Sequence, residues 1–319
     1  MSLTSTPPGR VLITGSSGFI GHGLLASLGE QWPVTAATRS NQPLRGIRNV
    51  AVGEIGSKTD WSDALLGATT VIHLAGAAHG SGKQRIPDFQ QVNVLGTINL
   101  AKQALNANVK RFIFLSSIGV NGQANNSPFS ECSIPNPSKP YAFSKYYAEC
   151  ALQDIFRGTQ TELVVVRPPL VYAGHAPGNF RLLLKAVAGG YPLPFAGVEN
   201  KRSMISLDNL VSFLMLCVLH PSAGNNLFVI SDLQAVSTCQ ILKHVANGMQ
   251  KKLNLFRVPD SVLRGGAEIT RRAGVYTQLC ETLTIDPSKA CSVLNWAPVT
   301  STGGALEAAG KAYLENLGS

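Results

Sequence analysis

The sequence predicts an α/β protein whose main body is a doubly wound, mostly parallel sheet and whose C-terminal third forms a smaller lobe. Two observations carry that expectation. Through the first half, short β-branched or apolar runs alternate with turns and then with stretches of helical spacing, the rhythm of parallel β-α-β units. Directly after the first of these runs comes a glycine-rich turn that leads into a helical stretch, which is where such sheets enter their first crossover.

Strands are expected at 10–14, 34–38, 49–52, 70–74, 111–116, 163–167 and 227–230. Most are continuous apolar runs, as befits strands covered by helices on both faces. Helices are expected at 19–29, 88–106, 141–156, 179–188 and 207–219; the last of these precedes a strand and rejoins the main sheet. Beyond Val171 the alternation fades, and Gly/Pro-rich connections at 173–178 and 189–197 mark a different kind of region. The implied division is a main domain of residues 1–172 plus 204–231 and a lobe of residues 173–203 plus 232–319 that closes over a ligand.

A chain of 319 residues, 45% hydrophobic and 14% charged, has the composition of a compact folded protein of enzyme size. Its net charge of +9 is spread over scattered doublets such as Lys110-Arg111, Lys201-Arg202, Lys251-Lys252 and Arg271-Arg272. No basic arm or stripe results, so an anionic small ligand fits better than a nucleic acid. The six cysteines lie far apart, without metal-ligand spacing, and read as buried free thiols in a reducing compartment with no metal site. Residues 1–8 are polar and the longest apolar stretch, 210–219, is too short to span a bilayer. A cytoplasmic protein with no membrane insertion is expected.

The glycine-rich turn reads Gly15-Ser-Ser-Gly18-Phe-Ile-Gly21 between a strand and a helix start. Gly15 permits the tight turn, Gly18 lets backbone approach a pyrophosphate, and Gly21 lets the helix pack closely on its strand, with free N–H groups of the helix start facing the phosphate. The body is therefore expected to be Rossmann-type and to bind a dinucleotide. After the second strand the chain reads Ala37-Thr38-Arg39-Ser40, without the acidic residue that usually holds the adenosine ribose. A guanidinium there suits a 2′-phosphate, which favours NADP over NAD; the alternative, a solvated loop cation, stays open.

Tyr141 and Lys145 are four residues apart and share one face of a helix beginning just after Pro140. A free phenol, with a pKa near ~10, is too weak an acid for efficient proton transfer at neutral pH, and an adjacent ammonium favours its ionised form. The strand at 111–116 runs into Ser117, at the carboxyl edge of the sheet where such folds bind ligands. Ser117 is the candidate to hold a reacting oxygen while Tyr141 gives or takes its proton.

The order of glycine turn, strand-end serine and Tyr-x-x-x-Lys resembles the extended short-chain dehydrogenase/reductase family, in its NAD-dependent epimerase/dehydratase group. Supporting segments include Gly53-Glu54-Ile55, Val71-Ile-His-Leu-Ala-Gly76, Asn93-Val-Leu-Gly96, Arg167-Pro-Pro-Leu-Val-Tyr172 and Arg202-Ser-Met-Ile-Ser-Leu-Asp208. The resemblance implies catalytic Ser117, Tyr141 and Lys145, with Lys145 also on the nicotinamide ribose. It implies cofactor contacts from Gly15, Ser17, Gly18, Phe19, Ile20, Gly21, Arg39, Glu54, Ile55, Leu74, Ala75, Gly76, Asn93, Tyr141, Lys145, Pro168 and Pro169, and substrate contacts from Ser117, Asn179 and Arg202. A helix-interior asparagine satisfied by a neighbour is the other reading of Asn93, and a surface cation that of Arg202. Two departures stand out: Val120-Asn121-Gly122 in place of Val-Tyr-Gly, and Glu54 in place of an aspartate.

The activity so implied is an oxidoreductase acting on a nucleotide-activated sugar, by hydride transfer at C4 of a UDP-sugar. Dehydratases of the group carry Asp-Glu after the catalytic hydroxyl residue, whereas Ile118 and Gly119 stand here. Segment 192–209 is most similar to that of bacterial UDP-4-keto-6-deoxy-N-acetylhexosamine 4-reductases, which makes a 4-keto reductase the first expectation. A UDP-sugar 4-epimerase with tightly bound NAD is the alternative, and a non-catalytic dinucleotide-binding regulator that of another class. The resemblance also implies a homodimer built through 88–106 and 141–156, and service in polysaccharide biosynthesis. His73 is expected to pack at its strand end, and His79, His175 and His220 to lie in loops.

Overall fold

The computed structural model describes residues 9–28, 32–41, 46–77 and 88–318. The N-terminal segment 1–8, Gly29 at the end of the first expected helix, and His79 lie outside the described residues. The strands are β1 (Arg10–Thr14), β2 (Val34–Thr38), β3 (Arg48–Ala51), β4 (Ala68–His73), β5 (Arg111–Leu115), β6 (Glu162–Arg167), β7 (Leu170–Tyr172), β8 (Met204–Ser206) and β9 (Asn226–Val229). Seven form one sheet in the order β3-β2-β1-β4-β5-β6-β9, every pair parallel. The expected strands are all there, their ends displaced by a residue or two. The order reverses direction beside β1, between β1 and β4, the point at whose carboxyl end sheets of this kind bind their ligands.

The helices are α1 (Phe19–Ser27), α2 (Ser62–Leu65), α3 (Thr97–Asn106), α4 (Pro140–Phe156), α5 (Asn179–Ala188), α6 (Leu207–Leu219), α7 (Thr238–Gly248), α8 (Asp260–Ile269), α9 (Ala273–Cys280), α10 (Ser288–Leu294) and α11 (Thr302–Gly318). The helix expected at 88–106 is α-helical only from Thr97; Phe89–Gly96 forms a π-helix. The parallel pair β7–β8 and the five helices after β9 were not expected individually. Three-residue strands are too short to show a period, and the helices lie where the regular alternation has faded.

Alternation along the strands sends side chains into two cores. Val11 and Ile13 of β1 face one side with Leu24 of α1, Leu210, Phe213 and Leu214 of α6, and Leu294 and Trp296 at the end of α10. Leu12 faces the other side with Leu100 and Ala104 of α3, Ala148 and Leu152 of α4, and Phe112 and Phe114 of β5. Both faces being buried explains why the strands read as unbroken apolar runs. A third cluster joins Tyr172, Phe180 and Leu184 to Ile241 and Val245 of α7 and to Leu306 and Ala309 of α11. The six cysteines are free thiols, but only Cys217 of α6 is buried; Cys132 lies exposed in a loop and the other four are half-buried on helices. Among the described residues, no helix is long and apolar enough to cross a membrane.

Candidate active site

The glycine turn has the geometry its spacing implies. Gly15 adopts φ +69°, and a Cβ there would lie 2.6 Å from the Ala75 amide nitrogen. A Cβ on Gly21 would lie 2.2 Å from the Gly15 carbonyl oxygen, so only glycine allows α1 to start this close to β1. Buried Ser16 donates to the Ala37 carbonyl at 3.0 Å and pins the turn to β2, while Ser17 and Gly18 are exposed. Gly18 caps α1 without a side-chain hydrogen bond, which leaves backbone N–H donors for an anion. Phe19 and Ile20 follow half-buried, and the Phe19 ring meets His175 edge-on at 5.2 Å.

A cavity of about 440 Å³ beside β3 is lined by Val52, Glu54, Ile55, Thr59 and Gln91 among others, and so includes the two residues, Glu54 and Ile55, expected beside an adenine. Arg39 is exposed at the end of β2, and its Nε bonds Glu54 Oε1 at 2.9 Å. Across the sheet, Leu74 and Ala75 leave β4 tied to Thr14: the Leu74 N–H donates to the Thr14 carbonyl and the Ala75 N–H to Thr14 Oγ1. A Cβ on Gly76 would lie 3.2 Å from Asn93 Oδ1 and 3.3 Å from Lys145 Nζ. The bare glycine therefore keeps open a groove edged by an amide and an ammonium. Turn, helix start, cavity and groove together fit an extended dinucleotide.

Ser117 caps the short turn Ile118–Val120 after β5. Its Oγ accepts from the Gly119 N–H at 3.1 Å, which leaves its O–H as a donor. Behind it the Pro168 carbonyl accepts from the Ile118 N–H at 2.9 Å, so Pro168 and Pro169, both buried, fix the turn. Tyr141 stands in the first turn of α4, pre-set by Pro140, with its ring edge-on to Phe89 at 6.2 Å. Lys145 follows one turn later, buried; Nζ donates to the Leu115 carbonyl at 2.8 Å and lies 4.7 Å over the Phe114 ring.

The expected lowering of the Tyr141 pKa by Lys145 does not appear in this arrangement. Burial pushes the Tyr141 phenol up to about 12. Burial likewise pushes Lys145 down to about 8, against the opposing pull of Glu149. The phenol is therefore held protonated and the ammonium stays charged at neutral pH. Four-residue spacing reveals the shared face, but the sign of the shift is set by desolvation, which spacing does not disclose.

Asn93 takes the satisfied reading as far as its N–H groups go. They donate to the Ala77 carbonyl at 3.1 Å and to Ser144 Oγ at 2.9 Å, while Oδ1 accepts from the Ala77 N–H at 2.7 Å. Ser144 in turn donates to the Tyr141 carbonyl at 2.7 Å. The asparagine is a clamp between the loop after β4 and the first turn of α4, carried on the π-helix. His73, buried at its strand end, bridges Thr14 at 2.6 Å and Thr97 at 2.8 Å. Desolvation, the Lys145 charge adding to it, holds the imidazole near 3, neutral.

Beneath these groups lies a buried network absent from the sequence reading. Glu149, one turn beyond Lys145, accepts from Arg167 Nε at 3.0 Å and Nη2 at 2.5 Å and from the Ser116 hydroxyl. Arg167 Nη1 donates to Asn121 Oδ1 at 3.0 Å. Both partners of the pair are almost fully buried, and together they lock α4 onto β5, β6 and the Ser117 turn. The continued four-residue spacing Tyr141, Lys145, Glu149 was the signal that marked this inward face.

The two residues expected at a substrate diphosphate converge on one segment. Asn179, exposed at the start of α5, donates to Gln278. Arg202 is half-buried, and its Nη1 donates to the carbonyls of Thr277 at 3.4 Å and Glu281 at 3.2 Å. Burial lowers its pKa to about 10, partly offset by Glu281, which leaves it a cation. The same stretch reaches the turn beyond Ser117, where the Phe129 N–H donates to the Thr284 carbonyl at 2.9 Å.

Residues 11–231 match the sequence model of the family described as NAD dependent epimerase/dehydratase. A protein from Vibrio cholerae described as UDP-glucose 4-epimerase is 33% identical over 97% of this chain and 96% of its own. One from Escherichia coli O157:H7, described as N-acetyl-alpha-D-glucosaminyl-diphospho-ditrans,octacis-undecaprenol 4-epimerase, is 27% identical over 78% of this chain and 75% of its own. The solved structure of MoeE5 in complex with UDP-glucose and NAD superposes with a TM-score of 0.79 at 24% identity, covering 97% of this chain and 100% of that one. This last likeness shows the fold.

Proposed function

We propose that this chain, which belongs to the NAD dependent epimerase/dehydratase family, is an enzyme that inverts the C4 hydroxyl of a UDP-sugar and retains NAD between turnovers. What supports the reading is that Ser117 caps the turn directly after β5 while Tyr141 and Lys145 lie in the first turns of α4, with Lys145 bonded to the Leu115 carbonyl at the end of that strand, beside a glycine turn and groove that fit a dinucleotide. The full-length likeness to a protein described as a 4-epimerase supports it.

When bound, the nicotinamide supplies the two-electron step at C4. The chain's own residues manage the oxygen. Ser117 donates its O–H to the C4 oxygen and fixes its direction. Tyr141 takes the hydroxyl proton as the carbon is oxidised and returns it after the sugar turns over. Lys145, held on the Leu115 carbonyl, keeps a positive charge at the same edge of the sheet and can hold a nicotinamide ribose in place. Asn93 holds the loop of Gly76 against α4 so that these groups keep one geometry. Arg202 and Asn179 grip the diphosphate, the guanidinium through its planar donors. Ile118 and Gly119, both buried, offer no acid or base for expelling water, which argues against dehydration. Exposed Phe143 and Tyr147 on α4, with ring centroids 6.4 Å apart, support the homodimer that the family resemblance implies.

A second reading, reduction of a UDP-4-keto sugar by exchangeable NADPH, rests on Arg39 and on segment 192–209. The Glu54 carboxylate bonded to Arg39 counts against it, because a 2′-phosphate would enter against that charge. Glu54→Gln therefore raises affinity for NADPH relative to NADH by about fivefold to tenfold, read by fluorescence titration of nucleotide-stripped protein. An unchanged ratio would show that Arg39 and Glu54 do not govern the choice.

Protein purified without added nucleotide decides between the two readings. Release of NAD on denaturation, with conversion of UDP-glucose or UDP-N-acetylglucosamine to the C4 epimer and no added cofactor, is the expected result. Absence of bound NAD, with NADPH consumed only on addition of a UDP-4-keto-6-deoxy sugar, would replace the epimerase by the reductase.

A further inference from the structure

Helix α8 buries none of its residues. Val262 and Ile269 are seven positions apart and so share one stripe, 59% and 86% exposed. The two positions between them on that stripe are Gly265 and Gly266, and a Cβ on either would meet nothing within 4 Å. Phe256 before the helix and Val275 after it add exposed apolar surface. The opposite side of α8 is the attached one: Tyr276 of α9 donates to Asp260 at 2.7 Å, and Arg264 lies over the Tyr276 ring at 5.3 Å. The apolar stripe therefore faces outward on a helix that is anchored from behind.

The surroundings are strongly basic. Residues 251–275 carry six cations, Lys251, Lys252, Arg257, Arg264, Arg271 and Arg272, against two carboxylates, Asp260 and Glu268. The six are all exposed, and Asp260 is already engaged by Tyr276 and Arg264. With Arg264 paired to Asp260 on the attached side, the segment's other five cations against Glu268 hold a net +4 of the chain's +9. A second copy presenting the same face would be repelled, and a nucleic acid would match the cations but leave Val262 and Ile269 without an apolar partner. An anionic bilayer meets both demands, with aliphatic side chains below the headgroups and cations among them.

We propose that the α8 face, with its flanking cations, seats the protein peripherally on an anionic lipid surface. The seat adjoins the proposed substrate site, because α9 continues from α8 into Thr277 and Gln278, the partners of Arg202 and Asn179. The sugar site then opens beside the membrane surface. The inference does not depend on the C4 chemistry and is read without turnover.

The full chain is sedimented with vesicles of phosphatidylcholine alone or with roughly a third phosphatidylglycerol, at low and high ionic strength. Binding is expected to the anionic vesicles only and to fall with salt. The Val262→Asp/Ile269→Asp double variant, altered at two exposed positions, is expected to bind on the order of a hundredfold more weakly, while its turnover and unfolding midpoint stay at the parent values. Arg271→Glu/Arg272→Glu is expected to weaken binding as well. Failure of the parent to sediment with anionic vesicles, or equal binding by the Asp double variant, overturns the proposal. Binding to polyglutamate in place of vesicles overturns it in favour of an acidic protein partner. Either failure leaves the epimerase reading to its own test.

Discussion

Replacing Tyr141 by phenylalanine lowers kcat by about 10²- to 10⁴-fold, the usual contribution of a positioned proton donor and acceptor. The ring stays, edge-on to Phe89, so the first turn of α4 and its Pro140 start keep their packing. KM for the UDP-sugar and affinity for NAD are expected to stay within a few-fold, since the phenol oxygen acts on the proton in flight more than on the resting complex. Steady-state kinetics together with calorimetric NAD binding measure both. A variant with full turnover would remove Tyr141 from the chemistry. Were the parent also inactive on every UDP-sugar, the dinucleotide-binding regulator would become the better account.

The largest loss of stability is expected from Glu149→Ala. The substitution strands the Arg167 guanidinium, 4% exposed, with its bidentate partner gone, and leaves the Ser116 hydroxyl unpaired. Breaking a buried pair on one side costs about 3–5 kcal/mol. Denaturant unfolding followed by circular dichroism reads this as a lower midpoint. Replacing both partners by methionine is expected to recover most of the loss, because an apolar pair leaves no uncompensated charge. If Glu149→Ala unfolded at the parent midpoint, the network would be decoration rather than the lock between α4 and the sheet.

The double replacement also separates stability from alignment. Glu149 is the charge that opposes the burial-driven fall of the Lys145 pKa. Its removal lowers that pKa further, so Lys145 loses its proton nearer neutrality. The high-pH limb of the rate profile is then expected to shift toward lower pH in the refolded double variant. A profile identical to the parent's would confine the pair to a structural part.

What could be read from the sequence was local chemistry. Gly15, Gly18 and Gly21 were legible because a turn needs positive φ and close approach at fixed offsets. Tyr141 and Lys145 were legible because four residues make one helical turn, and Ser117 because a strand's apolar run ends before it. The seven sheet strands were legible for a related reason: helices on both faces make them unbroken apolar runs. Contacts between distant segments left no such trace. Arg202 meets carbonyls 75 and 79 residues away, and the Glu149–Arg167 pair joins a helix to a strand 18 residues on. The upward shift of Tyr141 and the pairing of Arg39 with Glu54 likewise depend on burial and on neighbours brought by folding. Helix α8 carries an apolar stripe in Val262 and Ile269, but the stripe is exposed and packs on no core, and the two glycines between its apolar positions weaken the helical signal.

The claim on which the account depends is that C4 of the sugar passes its hydrogen, with both bonding electrons, to a retained nicotinamide and receives it back while Tyr141 and Ser117 manage the oxygen. The most direct test is to supply a UDP-sugar carrying deuterium at C4, in ordinary water, and to analyse the epimer by mass spectrometry and proton NMR. The account predicts that the product keeps its deuterium at C4. Loss of the label to solvent would mean that the carbon is deprotonated rather than oxidised, and would contradict it.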